Sequence, residues 1–331
     1  MAQQGARYTE EDADLSALEG QRVAVVGYGN LGRPAALNLR DAGLAVVVGS
    51  REEPAASRAR TEGFEVVPIE EAVGGADVVW LALPDEVIPE VLAPTAATRP
   101  APGALVCFSS GYTLAYDLVK LPSDVDAVLL APRMIGARIR ELYVAGQGFY
   151  SFVSVEQDAT GTARARLLAL AKGFGTLRRA ALEVCARDEA ALDLFVEQTL
   201  GPYLGAAVLA AFEVGVGRGL PPDALALELY LSGEMASTWE AFAEHGFFEG
   251  VRLHGHSASF GGFIRLSNID VEAMKRSFGD ILDDITSGGF AHRFQEELAA
   301  GSPTRELIEA MVSGDDPLSR AEAALRDARS G

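Results

Sequence analysis

Two groups of residues in this chain have the type and spacing that chemistry requires. Asp193 and Glu197, in ALDLFVEQ, stand four positions apart, so on a helix both carboxylates project from one face. Leu192, Leu194, Phe195 and Val196 surround them with apolar surface. Paired carboxylate oxygens suit a magnesium ion; the plainer reading is a solvated acidic face. The second group is RVAVVGYGNLG, where Gly27, Gly29 and Gly32 form G-x-G-x-x-G with Tyr28, Asn30 and Leu31 between them. There the first glycine permits a tight turn, the second admits a pyrophosphate against the backbone, and the third lets helix and strand close. The helix that follows presents unpaired amides to the anion.

The flanking sequence supplies the elements these residues need. Val23 to Val26 is a β-branched run that reads as a buried strand, Arg33 to Ala42 as a helix, and Leu44 to Gly49 as a second strand. That strand ends in Gly49, Ser50 and Arg51 rather than in Asp or Glu, which suits a ribose 2′-phosphate and predicts NADPH. Ser57 and Arg58 lie just beyond, while Glu52 and Glu53 oppose the preference. Phe64–Pro68, Val78–Leu83, Leu105–Ser109, Val128–Ala131, Ser151–Val155 and Ala180–Ala186 read as further strands. In LALPDE, Leu83 and Pro84 fall in the loop expected over the cofactor at the carboxyl edge of the sheet. Residues 1 to 20 are a polar lead-in, with Asp14 to Glu19 expected to cover the edge of the first strand.

After Thr162 the period becomes helical, with Ala190–Gly219, Asp223–Glu244, Val271–Ser287, Ala291–Ala300 and Pro317–Arg329 the longest segments. The expected architecture is α/β: a doubly wound, Rossmann-type domain over residues 1–183 and an all-α domain over residues 184–331.

Composition agrees with a globular protein: 331 residues, 49% hydrophobic and 23% charged. A formal net charge of -19 argues against nucleic acid or an anionic membrane surface as partner. We read no uninterrupted apolar run as long enough for a bilayer and no signal peptide in MAQQGARYTEEDADLS, and so expect a cytoplasmic protein. Cys107 and Cys185 both sit among apolar residues and are expected to be buried, reduced thiols. Leu200 to Val216 is apolar beyond one amphipathic stripe, consistent with a subunit contact or a central helix.

DADLSALEGQRVAVVGYGNLGRPAALNLRDAGLAVVVGSRE, LALPDEVIPEV, DVDAVLLAPR, SVEQDATG, ALAKGFG and DLFVEQ, in this order, resemble the short form of the ketol-acid reductoisomerase family. The resemblance runs from about Asp12 to the final helices. It implies an alkyl migration in 2-acetolactate followed by reduction with NADPH, two magnesium ions, a knotted helical domain, and a site shared between two subunits. A homodimer or higher homo-oligomer is therefore expected.

Carried over residue by residue, the resemblance keeps Asp193 and Glu197 as metal carboxylates. The second carboxylate pair falls on Tyr230 and Glu234, so one acid is a phenol unless a slip brings Glu228 into register. A histidine before the loop glycine is here Ser110, before Gly111, and a lysine is Arg133, which cannot release a proton. His254 and His256 stand two apart in a glycine-rich loop, where the family has hydroxyl residues. Glu197, His254, His256 and Tyr230 are candidate proton donors, and the two histidines offer an alternative metal set with Asp193 or Glu234. Hydride transfer needs less than alkyl migration: a held cofactor, an oriented carbonyl or imine, and a proton. The expectation is an NADPH-dependent reductase of a small 2-oxo acid, α-hydroxyketone or imine, with one magnesium ion or none and isomerisation lost. The alternatives are a complete ketol-acid reductoisomerase in branched-chain amino-acid synthesis and an NADPH-binding protein without turnover.

Overall fold

The computed structural model describes residues 5–51, 53–93, 98–250, 252, 255–314 and 316–329. They form two compact units, Met1–Asp193 and Leu194–Gly331. The first runs ten residues past the expected division at 183.

β-Branched runs alternating with helices build the first unit. Its strands are β1 (Arg7–Tyr8), β2 (Arg22–Val26), β3 (Ala45–Gly49), β4 (Glu65–Val67), β5 (Val78–Leu81), β6 (Leu105–Phe108), β7 (Asp126–Pro132), β8 (Tyr150–Gln157) and β9 (Ala180–Glu183). They make one sheet in the order β1-β9-β8-β7-β6-β5-β2-β3-β4, parallel from β4 to β7. The chain leaves β2 toward β3 and β4, then returns to place β5 on the other side of β2. Such a reversal opens a crevice at the carboxyl ends of β2 and β5.

Helices cover both faces: α1 (Gly32–Asp41), α2 (Glu53–Thr61), α3 (Ile69–Gly74), α4 (Ile88–Val91), α5 (Tyr112–Ala115), α6 (Gly136–Val144) and α7 (Ala163–Phe174). Because side chains alternate along a strand, Val23 and Val25 enter one core with Leu39 and Leu170, while Ala24 and Val26 enter the other with Ile69 and Val91. Each buried valine contributes about 1.5–3 kcal/mol, which fixes the register of β2 beneath the glycine turn.

One buried ion pair ties the far edge together. Arg166 of α7 reaches Asp126 at 3.3 Å and donates to the carbonyls of Gly103 and Asp77 and to Gln21. Asp126 also accepts from the amides of Ala159 and Thr160.

The second unit begins within α8 (Ala186–Gln198) and continues through α9 (Leu200–Gly217), α10 (Pro222–Ala226), a π-turn at Leu227–Leu231, α11 (Glu234–His245), α12 (Phe247–Gly250), α13 (His256–Leu266), α14 (Val271–Thr286), α15 (Gly289–Ala299), α16 (Pro303–Val312) and α17 (Pro317–Arg329). Phe212, Ala226 and Ala321 form its buried cluster, with Leu225, Leu229, Leu318 and Leu325 packed on it.

Several expectations are corrected. Residues 223–244 are not one helix, because Gly233 takes a φ of 84° and ends the π-turn before α11 begins. His256 is the first residue of a helix rather than part of a loop. Strand β9 stops at Glu183, and Ala186 already belongs to α8. The lead-in contributes β1, paired antiparallel with β9, and β2 has β3 and β5 on its two sides, so Asp14–Glu19 covers no edge there. Cys107 is buried, but Cys185, between β9 and α8, is exposed; both are free. Among the described residues one helical run, Ala186–Gly217, is long and apolar enough to cross a membrane by length and composition.

Replacing Asp126 with Ala leaves the Arg166 charge buried and unpaired. The expected cost is about 3–5 kcal/mol in urea unfolding; a loss under about 1 kcal/mol would show that this pair does not secure the edge.

Candidate active site

At the switch point each glycine does what its position demands. Gly27 has a φ of +96°, and a Cβ there would collide with the Ala82 carbonyl. A Cβ on Gly32 would overlap the Gly27 carbonyl, so only glycine lets α1 close on the turn. Among the described residues, none beyond its chain neighbours comes within 4 Å of where a Cβ on Gly29 would stand, leaving open space above its backbone. The Gly27 amide bonds the Gly49 carbonyl and the Ala82 amide the Val26 carbonyl, at 2.8 and 2.9 Å, fixing the crevice walls. This cradle fits a dinucleotide pyrophosphate.

The other expected cofactor contacts divide. Asn30 and Leu31 stay on the rim, half-buried or exposed, as do Leu83, Pro84 and Ser50, while Ser57 is exposed on α2. Tyr28 instead turns its side chain into the core: it is buried, meets Phe64 edge-on, and donates to Glu62 at 2.5 Å. Only its backbone belongs to the turn. Glu62 also accepts from Arg33, so this network clamps the turn to the first helix. Arg51 stands at the carboxyl end of β3, paired with Glu70 at 3.0 Å and Glu90 at 2.9 Å. Such exposed pairs are worth about 0–1 kcal/mol each, little enough for a phosphate to displace.

Across the carboxyl edge a second cluster forms. Gly111 lies so close to α8 that a Cβ would collide with the Ala186 carbonyl, and its amide donates to Glu189 Oε2 at 2.6 Å. Ser110 contacts Asp85 at 3.3 Å and accepts from the Tyr112 amide. Arg133, just past β7, donates through Nη2 to Glu189 Oε1 at 2.8 Å and through Nη1 to Asp193 Oδ1 at 2.6 Å. Its guanidinium also lies over the Phe152 ring, 5.1 Å from the centroid. The side chains of Arg133, Glu189 and Asp193 are 26%, 1% and 44% exposed.

Glu189 was absent from the sequence-based candidates. Its signal was available, since Glu189, Asp193 and Glu197 recur every four residues along α8. What sequence does not reveal is that the first of the three is buried against Gly111. Burial pushes its carboxyl up to about 7, while the Gly111 amide and Arg133 hold it down and Asp193 and Asp85 raise it.

These positions disagree with a paired-magnesium site. Asp193 already holds a full positive charge. A divalent ion about 4 Å from that guanidinium would meet roughly 8 kcal/mol of repulsion at an effective dielectric constant of about 20. Glu197 lies one turn further along α8. In the second unit Tyr230 donates to Glu322, and burial together with that bond pushes its phenol up to about 12, so it offers no anionic oxygen at working pH. The break at Gly233 separates Tyr230 from Glu234, an exposed residue at the first position of α11, where its charge complements the helix terminus. Glu228 is exposed on the π-turn. His254 lies outside the described residues. Within one chain, among the described residues, no three His, Cys, Asp or Glu side chains converge on a common ion site.

Two expectations follow from this geometry. Gly29→Asp places a carboxylate in the open space above the turn; the dissociation constant for NADPH, read by fluorescence, rises at least about 100-fold with Tm held within about 2 °C. Unchanged affinity would remove the pyrophosphate from this turn. For Glu189, the folded chain raises the carboxyl from an ordinary 4.5 to about 7, so its stabilising contribution is full below the lower value and is lost as pH rises through the upper. The loss is on the order of 3 kcal/mol. Glu189→Gln, neutral throughout, therefore shows a flatter Tm than the natural chain between about pH 5 and about pH 8; parallel profiles would contradict the shift.

Comparison with known proteins agrees with both units. The family model described as "Acetohydroxy acid isomeroreductase, NADPH-binding domain" matches residues 17–180, and that described as "Ketol-acid reductoisomerase, C-terminal domain" matches residues 187–330. The "Ketol-acid reductoisomerase (NADP(+))" of Pyrobaculum neutrophilum is 36% identical over 323 residues, covering 96% of this chain and 97% of its own. The "Putative ketol-acid reductoisomerase 3" of Saccharolobus solfataricus is 37% identical over 298 residues, 88% of this chain and 89% of its own. Among solved structures, an NADH-preferring ketol-acid reductoisomerase from an uncultured archaean superposes with a TM-score of 0.89 at 29% identity, covering 97% of this chain and 98% of that one. With the glycine cradle, the sheet order and both domain matches in agreement, the chain belongs to the ketol-acid reductoisomerase family.

Proposed function

We propose that this family member is an NADPH-dependent reductase of a small 2-oxo acid, α-hydroxyketone or imine in which alkyl migration is lost. The observation that carries the reading is Tyr230. The migration that the resemblance implies depends on two cations held by four carboxylates, and in the register that puts Tyr230 rather than Glu228 at one of those positions the group there is a protonated phenol bonded to Glu322. Reduction asks less of the protein. The turn at Gly27, Gly29 and Gly32 fits a pyrophosphate, and Arg51 and Ser50 beyond β3 suit a 2′-phosphate. NADPH supplies the hydride when bound. Glu189 exchanges a proton near neutrality, and Arg133 keeps positive charge beside it whatever the pH. Together they favour an anionic substrate that gains a proton on reduction.

A second reading is the complete reaction on 2-acetolactate. Its support is the naming of relatives matched over nearly the whole chain, including the one from Pyrobaculum neutrophilum. We further propose a homodimer: α9 exposes Leu200, Tyr203, Leu204 and Val214 along one face, which a second copy would cover. Reduced nicotinamide and two free thiols suit the cytoplasm.

The test compares 2-acetolactate with 3-hydroxy-3-methyl-2-oxobutanoate, the product of a methyl shift, following NADPH oxidation with magnesium present. The second compound is expected to be reduced with a kcat/KM at least about 100-fold above that for the first. Comparable values would establish the complete isomeroreductase and overturn the reading.

A further inference from the structure

Arg133 is committed in a way that its replacement of a lysine does not by itself require. Its two terminal nitrogens bond different carboxylates of α8, at 2.6 and 2.8 Å, and its Cζ lies over the Phe152 ring, 5.1 Å from the centroid. Its Nε is buried and has no partner among the described residues. A guanidinium that leaves one donor unsatisfied while using both arms is held by its carboxylates rather than resting beside them. A lysine ammonium, being a single point, has no planar fork with which to span Glu189 and Asp193 in this way.

We propose that the Arg133 guanidinium is a built-in cation that occupies Asp193, so that this carboxylate positions Arg133 instead of recruiting a divalent ion. The proposal rests on the reductase reading above and deepens it by removing the metal requirement from the reduction. Asp193 is then a positioning residue. Its one-sided exposure leaves the pair at the mouth of the cluster, while the buried Glu189 anchors the other arm of the fork.

The experiment is a Mn2+ titration of the full-length protein carrying NADPH, following the free-ion electron paramagnetic resonance signal, for the natural chain, D193N, R133K and the double variant. Thermal melting confirms that each is folded. The natural chain and D193N should take up Mn2+ with affinities within about twofold, because the carboxylate is already occupied. R133K should bind at least about tenfold more tightly than the natural chain, and D193N in that background should abolish the gain. NADPH oxidation with 3-hydroxy-3-methyl-2-oxobutanoate should persist in EDTA within about twofold. Mn2+ binding at least about tenfold tighter in the natural chain than in D193N, or loss of reduction in EDTA, would overturn the proposal. If R133K fails to fold, the natural chain against D193N and the EDTA measurement decide it. Turnover of 2-acetolactate in EDTA would sink the reductase-only reading while supporting the built-in cation. Asp193-dependent Mn2+ uptake without such turnover would sink the built-in cation and spare that reading.

Discussion

A single carboxylate at Glu189, almost wholly withdrawn from water, fixes the geometry on which this site depends. Its two oxygens are used by different elements, one by the Gly111 amide at the end of β6 and the other by Arg133 at the end of β7. Each bond requires α8 to press against the sheet edge, and that approach is possible only because residue 111 has no side chain. Moving any partner would leave a charge or an amide without a counterpart in a poorly solvated place, at a cost of several kcal/mol. The position of Asp193 one turn later, and hence of the Arg133 fork, follows from that constraint.

The cofactor crevice is fixed by different physics. There, β-branched residues on both faces of β2 set the strand, and the close passage of backbone past backbone at Gly27 and Gly32 sets the turn. Tyr28, Arg33 and Glu62 brace it from behind. The part that receives a nucleotide is therefore ordinary for its fold, and the cluster of Arg133, Glu189 and Asp193 is held by other elements. The glycine crevice and the Arg133 cluster thus rest on separate elements of one sheet edge.

Much of this was legible in the residues. The strands β2, β3, β5 and β6 appear as short apolar runs, and the glycine spacing with its flanking strand and helix identifies the crevice. Reading failed where structure depends on contacts distant in sequence or on one backbone conformation. Gly261 and Gly262 made α13 look like a loop, although its residues follow helical geometry. Gly233 looked tolerable inside a helix but takes a left-handed conformation and divides it. Two residues of β1 carry no periodicity to detect. The acidic repeat along α8 was visible, yet the burial of its first member depends on a glycine 78 positions away. Arg133 was read as a cation in a lysine position that cannot release a proton, and only the fold shows which carboxylates it grips.

The central claim is that positive charge at Asp193 comes from the chain itself while hydride delivery is retained. Its most direct test is a crystal structure with NADPH and Mn2+, with anomalous scattering measured above the manganese edge. The account predicts nicotinamide density in the glycine crevice, the Arg133 fork closed on Asp193 and Glu189, and no manganese peak at Asp193. A pair of manganese peaks beside Asp193 and Glu197, with Arg133 swung away, would contradict it.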